Sequence, residues 1–238
     1  MSVSLRVLAL ALVSAAPAFA QEAPVRSITV TGDGEASAPA DMATVRVGVH
    51  IEAASSGEAM DEASVSLNAM LATLEAAAIP AGDIQTGNIN LSPRYAQNVL
   101  GSVDYSKIEG YSADNVLTVE VHDLNALGGL LSDLVAGGAN TIDSVTFGLD
   151  DPTALTDEAR RKAVAEARRR ADLYADAAGV GVGQLIQLNE NGFSGYMPMP
   201  MAADMGSFER SAPEYKVPLS PGMITVSANV SLVYAIAE

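Results

Sequence analysis

Apolar and polar positions alternate most regularly at Thr44–Ile51, where Val45, Val47, Val49 and Ile51 mark the buried face of a strand. A shorter strand over Ser27–Thr31 precedes it, and Gly32 and Gly34 behind that strand read as turn glycines. No helix follows these glycines, and Pro39 comes soon after, so a phosphate-binding loop fails its structural context. A helical period takes over at Ser55, which forms a capping box with Glu58. Its buried stripe is Met60, Ala63, Leu67, Met70, Leu71 and Leu74, and Pro80 and Gly82 end the passage. Two strands follow, Asp83–Tyr95 and Gly110–His122, the second with Leu117, Val119 and Val121 on one face; the polar stretch Ala96–Glu109 reads as the loop between them. Asp123 caps a second helix with Leu124, Leu127, Leu130, Leu131, Leu134 and Val135 on its buried side. Gly137-Gly138 stop that helix, and Asn140–Leu149 is the next strand. From Ala43 to Leu149 the order is β-α-β-β-α-β, the split βαβ arrangement.

The longest periodic stretch is 152–178. Asp151 stands at its N-cap and Pro152 at the first helical position, where a missing N–H costs nothing. Ala159, Ala163, Ala167, Ala171, Tyr174 and Ala178 form one narrow apolar stripe, and Gly179 supplies a left-handed stop. So small a stripe lets a helix lie close against a β-surface. Six of the thirteen basic residues sit here: Arg160, Arg161, Lys162, Arg168, Arg169 and Arg170. The i,i+4 pairs Glu158–Lys162, Glu166–Arg170 and Arg168–Asp172 describe a charge-laced solvent face. A net charge of −16 also repels polyanions, so nucleic acid is excluded as a partner. Beyond the helix come a strand at Gln184–Asn189 and a last strand at Met223–Ala235. The fold class is α+β: a β-α-β-β-α-β core, then a long α-helix and a C-terminal β-hairpin with a long Met/Pro-rich insertion. The strands outside the core are expected to extend its sheet or to form a small second one.

Residues 1–20 read as a signal peptide. Arg6 gives the positive start, Val7–Val13 the apolar run, and Ala18-Phe19-Ala20 the small-x-small cleavage pattern, so Gln21 is expected to begin the mature chain. The apolar run is too short to span a bilayer. The remaining 218 residues, 21–238, are expected to form one domain with loop insertions at 91–110 and 191–222. No cysteine is present, so neither a lipid anchor on cysteine nor a disulfide is available.

Four segments resemble the SIMPL-domain family of exported bacterial proteins. They are SITVTGDGEASAPADMATVRVGV (27–49), GYSADNVLTVEVHDLNALGGLLSDLVAGGANTIDSVTFGLDD (110–151), DEARRKAVAEARRRADLYADAAGV (157–180) and SPGMITVSANVSLVY (220–234), in family order. The acidic or Gln residue usual after the C-terminal Pro-Gly is Met223 here. The resemblance implies an α+β fold, a periplasmic or outer-membrane-associated location, a tendency to form large homo-oligomers and a link to envelope or oxidative stress. It implies no catalytic residue and no cofactor.

Catalytic constellations are sparse. His50 falls on the polar face of its strand, His122 directly precedes the Asp123 cap, and no nucleophile elbow or zinc-ligand spacing is visible. The expectation is therefore a non-enzymatic protein. The oddest segment is 191–222, where Met197, Met199, Met201 and Met205 fall within nine residues, interleaved with Pro198 and Pro200. Methionine adapts to irregular apolar contacts, which favours an envelope-protein, membrane-surface or subunit contact through this segment. The alternative is Cu(I) binding or oxidant scavenging by the four thioethers.

Overall fold

Two sheets, each with helices on one face, divide the apolar residues into two cores. The computed structural model describes residues 26–97, 103–199 and 219–237, with 192–199 described as backbone. The elements are β1 (Ser27–Pro39), β2 (Met42–Ala53), α1 (Ser56–Ala76), β3 (Ile84–Gln97), β4 (Val103–Val121), α2 (Leu127–Ala136), β5 (Thr141–Gly148), α3 (Thr153–Ala178), β6 (Gly181–Met199) and β7 (Met223–Ala237). The expected signal peptide, residues 1–20, lies outside the described residues.

The β-α-β-β-α-β unit forms an antiparallel sheet of order β3-β4-β2-β5. Val45, Val47 and Val49 of β2 and Leu117, Val119 and Val121 of β4 meet Met70 and Leu74 of α1 and Leu127 and Leu134 of α2 in the first core. α1 starts on the expected capping box: Ser55 Oγ accepts the Glu58 N–H, and the Ser55 N–H donates to the Glu58 carboxylate. α2 begins later than expected, at Leu127, because Asp123 first closes a turn by accepting the Asn125 N–H at 3.0 Å. Val135 is exposed, one step off the buried row Leu127, Leu130, Leu131 and Leu134.

The outer strands form a second sheet of order β1-β7-β6, with α3 across one face. Gly32 and Gly34 are not turn glycines. Both lie inside β1, which pairs with β7 over its whole length. A Cβ on Gly32 would sit 2.1 Å from the Ala163 carbonyl oxygen, and one on Gly34 would sit 2.1 Å from that of Ala159. The helix backbone therefore rests on bare strand backbone, the close approach that glycine in a strand permits. The buried row of α3 is Ala159, Ala163, Ala167, Ala171 and Ala175. It keeps a four-residue step, so Ala175 is buried where the stripe was expected to pass through Tyr174 and Ala178. Tyr174 is 54% exposed.

The basic residues of α3 fasten the helix to its sheet. Lys162 Nζ donates to the Glu35 carbonyl at 3.0 Å, and Arg170 Nη1 donates to the Thr31 carbonyl at 2.8 Å. Arg160 reaches Glu190 of β6 at 2.9 Å, and the Arg168 guanidinium lies 5.2 Å from the centre of the Tyr234 ring. All three i,i+4 ion pairs expected on the solvent face are present.

Candidate interaction surface and polar clusters

Helix coverage of the first sheet stops short of its edge. α1 packs over β2 and β4 and meets β3 only marginally. Ile89 and Leu91 of β3 stand opposite Asn115 and Ala113 of β4, which face the helices and are buried. Paired residues of antiparallel strands share a face, so Ile89 and Leu91 also point to the helix side, where nothing among the described residues covers them. Ile89 is 58% exposed. Beside it, Asn115 is 2% exposed and its Oδ1 has no hydrogen-bond partner among the described residues. A buried acceptor left unpaired costs about 1–3 kcal/mol.

The same strands project beyond the sheet. β2 pairs with β4 only as far as Ala53 opposite Tyr111, whereas β3 and β4 stay paired to Gln97 opposite Val103. Most of the expected 91–110 loop is thus a two-stranded arm. Its polar sequence hides a register break, at which Asp104 accepts both the N–H (3.0 Å) and the hydroxyl (2.6 Å) of Ser106. Those bonds hold the Asp104 carboxyl below its ordinary pKa. Tyr95 and Tyr105 meet edge to face at 5.3 Å across the arm. Val103, Tyr105 and Ile108 are exposed, Tyr105 to 76%.

The 191–222 insertion also begins as strand. β6 continues to Met199, with Met197 opposite Thr225 and Met199 opposite Met223 of β7. Met201 and Met205 lie outside the described residues, as does the segment 200–218. Two of the four methionines thus occupy alternate register positions on one edge strand.

Two polar clusters lie on the first sheet. His50 Nδ1 sits 2.5 Å from Asp114 Oδ1, and Nε2 sits 3.6 Å from Glu52, itself 2.9 Å from Arg94. The hydrogen bond to Asp114 is the main cause that raises the His50 pKa. The Asn140 side chain exchanges two hydrogen bonds with the His50 backbone, at 2.7 and 2.8 Å, extending the β2–β5 ladder. Sequence spacing identified neither this grouping nor the second one. There Asp83, Glu120 and His122 bring one ligating atom each to within 4.8 Å of the others. Their contact depends on the β3–β4 register, which no local motif encodes.

A family model described as SIMPL, protein of unknown function (DUF541), matches residues 28–234. The chain is 35% identical over 229 residues to the 26 kDa periplasmic immunogenic protein of Brucella melitensis biotype 1, covering 92% of this chain and 90% of that one. The protein of the same name from Brucella abortus aligns equally. Uncharacterized protein YggE of Escherichia coli is 28% identical over 178 residues, 75% of this chain and 70% of that one.

Proposed function

Because the chain belongs to the SIMPL family, we propose that it is exported to the periplasm and works there as a homo-oligomer, through contact surfaces and not through catalysis. The Brucella relatives named as periplasmic support the compartment. One observation carries the assembly reading: Ile89 and Leu91 on the uncovered edge of β3, and Val103, Tyr105 and Ile108 on the arm built from the same two strands, are all exposed. Neighbouring apolar side chains of this kind mark contact sites, and each contributes up to about 2 kcal/mol when buried. Residues 191–222 are the second contact region, toward an envelope protein or the outer-membrane surface, and envelope or oxidative stress is the physiological setting. A second reading, Cu(I) or oxidant capture, rests on four methionines within nine residues.

The absence of native cysteine gives a clean test. A Tyr105→Cys variant carries a single thiol on the arm and should be cross-linked to dimers by a short bismaleimide. A matched thiol at Glu75, on the exposed surface of α1, should cross-link far less. Equal yields at dilute concentration would remove the arm from the interface.

A further inference from the structure

Three side chains at one end of the first sheet have the chemistry of a cation site. Glu120 is near the end of β4 and His122 directly follows its last residue, Val121; both are exposed, while Val121 between them is buried. Asp83 closes the 3-10 turn Ala81–Asp83, and the pairing of Ile84 with Val119 brings it level with them. His122 Nε2 lies 3.5 Å from Asp83 Oδ2. A tetrahedral ion about 2.1 Å from each donor holds its donors roughly 3.4 Å apart, so this pair already has the required separation. Glu120 is exposed and free to turn inward from within the 4.8 Å limit.

The surroundings favour a cation over a simple ion pair. His122 Nδ1 faces Asp150 Oδ1 at 3.8 Å, which places a carboxylate behind the ring nitrogen pointing away from the donor group. Asp150 is itself held by its N–H, which donates to Asp41 Oδ1 at 2.8 Å. Among the described residues, His122 is the only ion-pair partner of Asp83 and of Asp150, and Glu120 has none. The group therefore brings three carboxylates together with no Lys or Arg paired to them among the described residues. An all-oxygen set would suit Mg²⁺ or Ca²⁺, whereas the imidazole shifts preference to zinc-like ions. We propose that Asp83, Glu120 and His122 bind one divalent first-row cation of the zinc type, with a fourth position left for water. This site does not depend on the assembly reading.

The test uses Zn²⁺ and the untagged protein at pH 7, by calorimetry and by proton resonances of the two histidine rings. One Zn²⁺ per chain is expected, with the His122 resonances moving and those of His50 staying in place. His122→Ala and Asp83→Asn should each weaken binding by tenfold or more, while His50→Ala leaves it unchanged. All three residues are at the surface or its margin, and an unchanged melting temperature without zinc will show that the variants fold. Unmoved His122 resonances at 100 µM Zn²⁺, or wild-type affinity in either variant, overturns the proposal.

Discussion

Gly34 lies directly beneath Ala159, close enough that a Cβ on the glycine would sit 2.1 Å from the alanine carbonyl oxygen and 2.3 Å from the Ala163 nitrogen. Both obstacles are helix backbone, which cannot rotate away as a side chain can. Gly34→Ala must therefore lift α3 from its sheet, at a cost of about 3 kcal/mol, the upper end of ordinary overpacking. Gly82→Ala, where nothing lies within 4 Å, should be neutral. Urea titration of the two variants measures the difference, and equal midpoints would mean that α3 does not rest on β1.

Helix phase near the end of α3 has a similarly direct test. Ala175 is buried and Tyr174 is exposed. Ala175→Glu should cost about 3 kcal/mol by burying an unpaired carboxylate. Tyr174→Glu, facing water, should shift stability by less than about 0.5 kcal/mol. The reverse ranking in thermal melts would restore the stripe through Tyr174.

Much of this architecture is legible in the sequence, and the exceptions have physical causes. The valines of β2 follow from their strict alternation, and the Ser55–Glu58 box and the α3 ion pairs follow from spacing because both members of each pair lie within one element or one turn. Gly32 and Gly34 mislead because glycine ordinarily signals a turn. Their partner is the alanine row of α3, more than a hundred residues downstream. Alternation in Val30, Gly32, Gly34 and Ala36 was the available signal: all four are buried, and their small size matches the alanines opposite. The β3–β4 arm is hidden for another reason, since its strands break register at Asp104 and Ser106 and lose strict alternation. Asp83, Glu120 and His122 come together only through strand pairing, so no spacing rule could have collected them.

Acid should weaken the lacing of α3 in a defined range. Hydrogen bonds from Arg169, and secondarily from Arg170, hold the Glu166 carboxyl down to about 2. A carboxyl with a depressed folded-state pKa stabilises the fold above its unfolded value of about 4.3 and loses that contribution as pH falls toward 2. Glu166→Gln should melt below wild type at pH 6, and the gap should close between about pH 4.5 and 2. High salt should shrink it, because the pair is near the surface. A gap independent of pH would show that the carboxylate charge is not involved.

The methionine segment separates the two functional readings. Leucine nearly matches methionine in volume, so replacing Met197, Met199, Met201 and Met205 with leucine should preserve assembly and any membrane association, whereas serine at all four should weaken them. Tight Cu(I) binding by the wild type, lost in the leucine variant with oligomer size unchanged, would favour the copper reading.

Self-assembly through the uncovered β3 edge and its arm sets the mass of the protein in solution. Light scattering of the purified protein at micromolar concentration should give a whole multiple of the chain mass greater than one. The double variant Ile89→Ser, Tyr105→Ser removes two exposed apolar side chains, and its mass should fall toward that of a single chain with its melting profile otherwise intact. A wild-type mass equal to one chain, or an unchanged oligomer in the double variant, would rule out assembly through this surface.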